Sequence, residues 1–430
     1  MLTRYRFLIG FGLASAFAVI GLLFRNPQLA LLSLPPLFYS IALLISYLLL
    51  PKPGIDAWRI VDRSRISEEE TIEVALAMAS RDRSYPMILA HDEIPSGMTC
   101  VSGDNYYQGS IDPGEPRQLI RYTLEGVRGV YGFSTIQALV WSPFGLAVTE
   151  AAIEAPIELR LLPHYEELGP VSIRPRRTRA FAGPIRSNLS GSGIDFYGCR
   201  TFTQGDDIRR INWRAYARTD ELVICDYEQE RITDVSLILD ARARAHAFVG
   251  THHTFEFATR ATASLASHFC TQGNNVGLLV YGDNLNWVFP GVGRSQVDRI
   301  FDVLSQARLA NKIAFEDLRQ IPTRLFPPYS QLVLVSSNLD EDDIETLALL
   351  KSKGYSILFV SINTLPLEHA ELPPTDETGM AVRIANLRRT LYLGALARYG
   401  VQVVDWDPGT PLGQAFAFER SCWRWGRAAP

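Results

Sequence analysis

The sequence predicts a multidomain chain made of two N-terminal transmembrane helices, an all-β sandwich domain and a doubly wound α/β domain. Three patterns predict these parts: two long apolar runs, then short strands in which apolar and polar residues alternate, then apolar strands linked by amphipathic helices. At 430 residues the chain exceeds the ~250–300 residues at which one hydrophobic core usually stops growing. More than one folded domain is therefore expected.

Composition argues against several classes of protein. The net charge of −4 argues against a general nucleic-acid binder, which normally carries a basic excess. The five cysteines are scattered and odd in number, so neither a disulfide framework nor a zinc ribbon can be read from them. A reducing compartment is expected.

Residues 1–52 are predicted to form a transmembrane helical hairpin. The runs 7–24 and 29–50 carry no charged residue, and each is close to the ~20 residues that cross a bilayer core. Pro35 and Pro36 are expected to kink the second span. The alternative is a signal peptide followed by a buried hairpin, although no small-residue cleavage site stands out.

Basic residues around the two spans predict their orientation. The turn between the spans carries Arg25, whereas the two outer ends carry Arg4, Arg6, Lys52, Arg59, Arg63 and Arg65. Because cytoplasmic flanks carry the excess of Lys and Arg, both ends are predicted to lie inside. We expect a multi-pass protein of the cell inner or cytoplasmic membrane, with residues 51–430 in the cytoplasm.

Residues 53–163 are predicted to form the β-sandwich domain. Ile72, Val74 and Leu76 fall on one face of a strand, and turn pairs such as Ser96-Gly97 recur between the apolar runs. Short alternating strands separated by turn residues are typical of a sandwich. A closed barrel is the structural alternative.

Residues 164–231 are predicted to be a linker followed by a charged signature segment. Residues 172–186 contain five arginines and no acid. Such a run is usually a solvated arm, which is the favoured interpretation, and contact with anionic lipid is the alternative. Residues 193–231 differ from a flexible linker, because aromatic side chains are interleaved with the charges.

Two adjacent carboxylates, Asp206 and Asp207, lie among arginines in this segment. A catalytic metal site or a general acid and base could use such a pair. Neighbouring guanidinium groups, however, lower a carboxyl pKa, whereas acid–base chemistry near neutral pH needs a raised one. We expect both acids to pair with Arg200, Arg209 or Arg218.

The aromatic residues and the glycine of the segment are predicted to have structural roles. Trp213 and Tyr216 are expected to pack against the α/β domain and fix its angle to the β-sandwich. Gly205, which precedes the acids, is expected to supply a tight turn.

Residues 232–430 are predicted to form the α/β domain. Continuous apolar strands indicate a parallel sheet covered on both faces, and amphipathic helices link them. Ser295 is expected to cap one helix, and the acids from Asp340 onward suit the positive end of the next. A hairpin is expected to turn at Asp283-Asn284. The predicted strands are 235–240, 276–283, 286–290, 332–337, 357–362 and 401–405.

Residues 200–218 follow the long pattern R-x(4)-GDD-x-R-x-I-x-W-K/R-x-x-A-R. This pattern resembles the signature of the prokaryotic family called domain of unknown function 58, and the order of parts is similar over essentially the whole chain. A second motif of that family, Asp-Pro-Phe-Gly-Leu, corresponds to residues 142–146, with Ser142 in place of Asp. The positions expected to form the signature or interaction site are Arg200, Gly205, Asp206, Asp207, Arg209, Trp213, Arg214 and Arg218.

The resemblance implies a von Willebrand factor A-like C-terminal domain. Such a domain normally binds a divalent cation through an Asp-x-Ser-x-Ser set after its first strand. Here Asp240 is present, but Arg242 and Arg244 stand at both serine positions. A guanidinium there repels Mg²⁺ and supplies the positive charge itself, so the site is expected to be degenerate, with no divalent cation or other cofactor.

The resemblance also implies work with a MoxR-type AAA+ ATPase in complex assembly or chaperone-like activity. We expect a membrane-anchored cytoplasmic interaction or scaffold protein that is not an enzyme, with no nucleic acid and no small-molecule substrate identified. No nucleophile elbow or phosphate-binding loop is legible, and His246, His252 and His253 match no metal-ligand spacing. A membrane-bound hydrolase or transferase that uses the Asp206/Asp207 region is the alternative, and a surface adhesin of inverted topology is a third.

Overall fold

The computed structural model describes residues 2–417 apart from 49–52, 115–116, 143–144, 172–178, 247, 250–251, 283–284, 311–324 and 339–340. The chain divides into two compact units, Met1–Leu162 and Pro163–Pro430. Most of the arginine-rich run, the predicted turn at Asp283-Asn284 and the acid Asp340 lie outside the described residues.

The first unit begins with the helices α1 (Leu2–Leu23), α2 (Pro27–Leu31) and α3 (Leu34–Leu48). Two stretches, Tyr5–Leu23 and Pro27–Ser46, are long and apolar enough to span a membrane. The predicted disruption of the second span is present: the helix is interrupted at residues 32–33, and Pro35 and Pro36 lie in the first turn of α3. A proline there removes no helical hydrogen bond, so the prolines begin a new helix.

Small residues allow α1 and α3 to approach closely. Gly10 and Ala14 of α1 are buried, as are Ser40 and Leu43 of α3. A Cβ atom added to Gly10 would lie 2.7 Å from the Oγ of Ser40. Close contact through small residues is a typical way for apolar helices to pack where the hydrophobic effect does not drive them together.

The rest of the first unit is built of strands arranged in two sheets. The sheet orders are β1-β3-β7-β5 and β2-β9-β8-β4-β6, and the inward side chains form one core. Ile72, Val74 and Leu76 all belong to that core, as the alternation predicts. The strands are β1 (Ile55–Val61), β2 (Arg65–Ser67), β3 (Ile72–Ser80), β4 (Tyr85–Asp92), β5 (Met98–Gly103), β6 (Tyr106–Ile111), β7 (Arg117–Gly126), β8 (Gly129–Trp141) and β9 (Val148–Leu162).

A buried ion pair joins these two sheets. The Arg59 side chain on β1 is 1% exposed, and it donates to Asp92 on β4 with Nη2 2.7 Å from Oδ1. The Tyr122 hydroxyl on β7 also donates to Asp92, at 2.7 Å. Burial, and then the neighbouring Asp92 charge, raise the pKa of Tyr122. The Arg59 guanidinium stacks over the Phe133 ring with Cζ 5.1 Å from its centroid. The sequence did not reveal this group, because in sequence Arg59 is only one of several basic residues that follow the second span.

The second unit contains a two-stranded ribbon and a six-stranded sheet. The ribbon pairs β10 (Arg179–Thr201) with β11 (Val223–Ile232), and the short helix α4 (Trp213–Thr219) lies between them in sequence. The sheet has the order β16-β15-β12-β17-β18-β19. Its strands are β12 (Asp234–Asp240), β15 (Asn275–Tyr281), β16 (Leu285–Gly291), β17 (Gln331–Ser336), β18 (Ser356–Ile362) and β19 (Gln402–Trp406), and β13 (Phe248–Val249) and β14 (His252–His253) form a small separate pair.

The six-stranded sheet is parallel except for β16, which pairs antiparallel with β15. The second unit therefore contains an α/β domain with parallel strands, and to that extent the prediction is confirmed. Strand order reverses between β12 and β17, and such a switch point is where open α/β sheets form a crevice at the carboxyl ends of their strands. The linking helices are α5 (Thr254–Thr271), α6 (Arg294–Gln306), α7 (Glu341–Ser352), α8 (Leu365–Glu371) and α9 (Asp376–Arg398).

Two details of these helices differ from the sequence prediction. Gly293, not Ser295, is the N-cap of α6, and its φ of 78° explains the glycine. The long helix α9 was not predicted, although Thr375 and Thr378 form a reciprocal capping box at its start. Its apolar residues do not form one inward stripe, which is the signal that revealed the other helices.

We expect Asp92→Asn to destabilise the β domain by about 3–5 kcal/mol, because it leaves the Arg59 charge buried without its partner. Hydrogen exchange of the β4 and β7 amides in the full chain measures the loss of protection. The double change Arg59→Met with Asp92→Leu removes both charges and should recover most of that protection. Asp56→Asn, which breaks the exposed Asp56–Arg81 pair, is the matched control and should change little. Equal protection in Asp92→Asn and Asp56→Asn would contradict the expectation.

Candidate functional site

The signature segment is held together by Arg200 at the end of β10. Its guanidinium binds Asp206 through two contacts, Nη1 to Oδ2 at 2.7 Å and Nη2 to Oδ1 at 2.7 Å. Its Nε also donates to Asp226 on β11, at 3.0 Å. Arg200 therefore fastens the loop that carries Asp206 to the strand pair, and the predicted pairing of Asp206 with Arg200 is present.

The Asp206 carboxylate is saturated with donors. Besides Arg200 it accepts hydrogen bonds from the backbone N–H of Thr203 at 2.8 Å and from the Thr203 hydroxyl at 2.8 Å. The Arg200 guanidinium first, and the Thr203 donors second, hold the pKa of Asp206 far below its usual range. A carboxylate that stays ionised and fully hydrogen-bonded suits a structural task and does not suit proton transfer.

Asp207 and Gly205 shape the turn beside it. The Asp207 side chain caps the one-turn 3₁₀-helix Ile208–Arg210 by accepting from the backbone N–H of Arg209, at 3.0 Å. Within the described residues it makes no ion pair, so the predicted pairing of Asp207 with an arginine is wrong. Gly205 has a φ of 110°, which fits the predicted tight turn because a side chain would be strained there.

The signature segment presents apolar and cationic side chains to solvent. Trp213 is 59% exposed and contacts Tyr216 edge-to-face, with ring centroids 6.2 Å apart. The expectation that these rings pack into the α/β domain is wrong. Asn212 caps α4 and thereby starts the helix at Trp213. The exposed residues of this signature face are Ile208, Arg209, Trp213, Arg214, Tyr216 and Arg218.

The β10–β11 register also brings two cysteines together. Cys199 lies opposite Cys225, and their Sγ atoms are 4.0 Å apart. Burial, and then the neighbouring Cys199 thiol, raise the pKa of Cys225. The sequence could not reveal this pair, because the two residues are 26 positions apart and only the strand register joins them.

A second cluster lies at the switch point of the sheet, where the cation site was predicted to be degenerate. The Arg242 guanidinium lies between two buried carboxylates. It donates to Asp240 through Nε at 2.9 Å and Nη2 at 2.8 Å. It also donates to Asp343 at the start of α7, through Nη1 at 3.1 Å and Nη2 at 2.9 Å. All three side chains are buried: Arg242 is 5% exposed, Asp240 0% and Asp343 1%.

Neutral groups complete this cluster. The Ser336 hydroxyl at the end of β17 donates to Asp240 Oδ2 at 3.0 Å. His246 Nε2 lies 2.6 Å from the backbone oxygen of Asp240, and its Nδ1 lies 3.1 Å from the Ser337 hydroxyl. Burial lowers the pKa of His246, which favours the neutral ring, with Nε2–H as the donor to the carbonyl.

Electrostatics explain why a buried arginine is stable here. Burial alone would lower the pKa of Arg242, but the hydrogen bonds and charges of Asp240, followed by those of Asp343, outweigh it and raise the pKa. The guanidinium supplies, between two carboxylates, the positive charge that a divalent cation would supply. Arg244 differs: it remains 46% exposed, with Nη2 4.0 Å from Asp343. In the part of the chain that the structure describes, no group of three or more His, Cys, Asp or Glu residues is placed to hold a metal ion.

A cleft of about 620 Å³ opens beside the cluster, at the carboxyl edge of the sheet. Its lining includes Arg244 and His246 after β12, Ser361 at the end of β18, and Arg388 and Arg389 of α9. Arg389 is already engaged, because its Nη2 donates to Asp405 at 2.7 Å and to the Ser361 hydroxyl at 2.5 Å. The cleft is therefore cationic and partly apolar. The cleft could not be read from the sequence, because the sequence did not predict α9.

Comparison with protein families matches residues 198–381 to the family described as "Protein of unknown function DUF58". The match covers both the signature segment and the Asp240–Arg242–Asp343 cluster. Residues 198–381 of the chain therefore match the DUF58 family. The resemblance noted in the sequence is thereby confirmed over these residues, and no curated protein matches this chain.

Three solved structures are each similar to about a quarter of the chain. A type II cohesin domain from the cellulosome of Acetivibrio cellulolyticus is 7% identical over 25% of this chain and 95% of its own, with a TM-score of 0.19. A FixG-related protein from Vibrio parahaemolyticus is 12% identical over 26% and 98%, with a TM-score of 0.17. A conjugate transposon protein from Bacteroides vulgatus is 12% identical over 26% and 88%, with a TM-score of 0.14. Such scores carry no argument about fold or function.

We expect Arg242→Ser to open the Asp240–Arg242–Asp343 cluster to a divalent cation. Two carboxylates and the Ser336 hydroxyl would then face the vacated position, and they are the hard oxygen ligands that Mg²⁺ and Mn²⁺ prefer. Titration of the purified chain with either ion should show saturable binding by the variant, and adding Asp240→Ala should abolish it. Arg244→Ser alters a half-exposed arginine and is the control that should create no site. Saturable binding by the unaltered chain, lost on Asp240→Ala, would contradict the assignment of Arg242 as the resident cation.

We expect Asp206→Asn to loosen the signature segment more than Asp207→Asn does. Asp206 accepts four side-chain and backbone donors, whereas Asp207 accepts one backbone N–H in the described structure. Hydrogen exchange of the amides of residues 200–212 measures the difference. Because the Arg200–Asp206 pair is exposed to solvent, high salt should reduce the difference between the two variants. A larger effect in Asp207→Asn would be incompatible with Asp206 as the anchor.

Proposed function

We propose that this protein is a membrane-anchored cytoplasmic interaction or scaffold protein whose second unit binds a MoxR-type AAA+ ATPase in complex assembly or chaperone-like activity. The ATPase partner comes from the family resemblance. Two helices that are apolar enough to span a membrane support the anchor. The basic residues outside the two spans support a cytoplasmic location for residues 51–430. The two spans would then lie in the inner or cytoplasmic membrane.

The observation that carries the proposal is the exposed signature face. Ile208 and Trp213 are 65% and 59% exposed within the most specific pattern of the sequence, and arginines surround them. Trp and Arg are the residues most enriched at the energetic centres of protein interfaces. A tryptophan that served only to stabilise the fold would be expected to be buried. The exposure of Trp213 therefore favours a role in partner recognition.

We also propose that the α/β domain is of the von Willebrand factor A type. The mostly parallel, doubly wound sheet and the acid Asp240 at the end of its first parallel strand support this assignment. In that interpretation Arg242 stands where the domain normally holds its cation, and recognition proceeds without a metal. The hydrolase or transferase alternative has no comparable support, because Asp206 is neutralised by Arg200 and Asp207 caps a turn.

The test is an affinity purification of the detergent-solubilised full chain from its own cells, with and without ATP. We expect recovery of a MoxR-type ATPase that depends on ATP, and we expect Trp213→Ala to weaken it by about thirtyfold, or roughly 2 kcal/mol, as for a typical interface tryptophan. Trp58→Ala changes a tryptophan of similar exposure on β1 and is the matched control. Failure to recover an ATPase, or equal recovery by Trp213→Ala and the unaltered chain, would count against the proposal.

Orientation is tested independently of the partner. A reporter enzyme that is active only in the cytoplasm, fused after the last residue, should be active if residues 51–430 lie inside. An inactive reporter, together with activity of a second reporter that requires export, would reverse the proposed topology.

A further inference from the structure

Helix α9 exposes a row of large apolar side chains. Met380, Ile384, Leu387 and Leu391 are 66%, 50%, 62% and 60% exposed. The opposite side of the helix faces the core through Tyr392, Leu393 and Leu396. Four neighbouring large apolar residues on one exposed helical face are unusual for a surface that contacts only water.

The spacing of this row is that of a helix–helix seam. Its members are four, three and four residues apart, which is the alternating spacing of the inward positions of a coiled coil. We call these four residues the α9 seam. The seam is narrow, and a second helix laid along it would cover all four side chains with its own apolar stripe.

Charges next to the seam specify the chemistry of that helix. Arg383 and Arg388 are exposed on the two sides of the seam, at positions where coiled coils place the charges that select a partner. Neither arginine makes an ion pair within the described residues. Asp376 and Glu377 lie only in the first turn of α9, so the middle of the seam is flanked by positive charge.

The cleft at the carboxyl edge of the sheet continues this surface. Ile384 and Arg388 both belong to its lining, where they are joined by Ala381 and Arg244. Glu368 is an acid in the lining, and it accepts from the Thr364 hydroxyl at 2.7 Å. The lining thus combines three arginines, Arg244, Arg388 and Arg389, with one acid, and the cleft remains cationic beside the seam.

We propose that the α9 seam and the adjoining cleft form a docking site for an amphipathic helix with acidic flanks on a partner protein. This inference deepens the proposed function, on which it rests, by naming a surface and the chemistry of the segment that it binds. Apolar side chains of the partner cover the seam, and its carboxylates pair with Arg383 on one side and with Arg388 on the other. Electrostatic complementarity of this kind sets partner choice and register more than total affinity.

A second copy of this chain fits the seam poorly. In either relative orientation of two α9 helices, the flanking arginines would face one another, and like charges at those positions oppose pairing. The sequence after residue 417 is also a poor occupant, because it contains Arg420, Arg424 and Arg427 against the acid Glu419.

An anionic membrane surface is the other class of occupant that arginines and apolar residues could attract. Two observations favour a protein helix. The seam has no aromatic residue, whereas helices that lie on membranes commonly place Trp or Phe on the apolar face. The charged cleft beside it is concave, so a flat surface of headgroups would not reach its arginines as a protruding side chain would.

The experiment uses the full chain in nanodiscs of zwitterionic lipid and two synthetic helical peptides of about three heptads. Both peptides carry the same leucine seam, but one has glutamate at the flanking positions and the other has lysine. Fluorescence anisotropy of the labelled peptides measures binding. We expect the glutamate peptide to bind at least about tenfold more tightly than the lysine peptide.

Variants test each part of the site. Leu387→Asp combined with Leu391→Asp should weaken binding of the glutamate peptide by at least about tenfold, since it places carboxylates in the seam. Arg383→Glu combined with Arg388→Glu should reverse the preference between the two peptides. Leu349→Asp changes a comparably exposed leucine on α7, and as the matched control it should leave binding unchanged. All of these residues are exposed, and circular dichroism checks that each variant is folded.

Several results would overturn the inference. The two peptides could bind equally, or the Leu387→Asp/Leu391→Asp variant could bind as tightly as the unaltered chain. A third such result is that the unaltered chain self-associates and this variant does not. Hydrogen-exchange protection of α9 by anionic but not zwitterionic nanodiscs would assign the seam to the membrane. Because the titration contains no ATPase, its outcome is independent of the affinity purification, and the two proposals can fail separately.

Discussion

The second unit is organised around one arginine that lies between two buried carboxylates. Arg242 contacts both Asp240, at the end of the central strand β12, and Asp343, at the start of α7. Either acid alone in the interior would carry a large desolvation cost, and either would repel the other. The guanidinium removes both problems and joins two elements that meet at the switch point of the sheet. The carboxyl edge of the sheet, and the cleft beside it, therefore depend on this arrangement.

The same physical solution recurs elsewhere in the chain. Arg59 joins the two sheets of the β domain through Asp92, and Arg200 joins Asp206 to Asp226 across the signature segment. In each case the planar guanidinium makes several directed hydrogen bonds at once, which the point charge of a lysine cannot do. These carboxylates consequently serve structure. The exposed residues discussed above lie instead on two surfaces. These are the signature face around Trp213 and the α9 seam with its flanking arginines.

These two surfaces differ in the kind of contact that they offer. The signature face combines one exposed tryptophan with several arginines on a short helix and turn, which suits a compact contact. The α9 seam is long and narrow, which suits another helix. Both are more cationic than the whole chain, whose net charge is −4. The overall charge therefore hides the cationic character of these two surfaces.

The sequence by itself indicated two apolar N-terminal helices, a strand-rich region, an α/β region with parallel strands and the resemblance to DUF58, because periodicity and a long motif are local properties of the chain. It also indicated that Arg242 would oppose a metal at Asp240, since charge and spacing are visible there. Only the tertiary structure decided that Asp343 completes that cluster, that Arg59 is buried against Asp92, and that Trp213 is exposed. These facts depend on contacts between residues far apart in the chain. Helix α9 escaped prediction for a related reason: its inner and outer faces both carry apolar residues, and only packing against the sheet shows which face is left open.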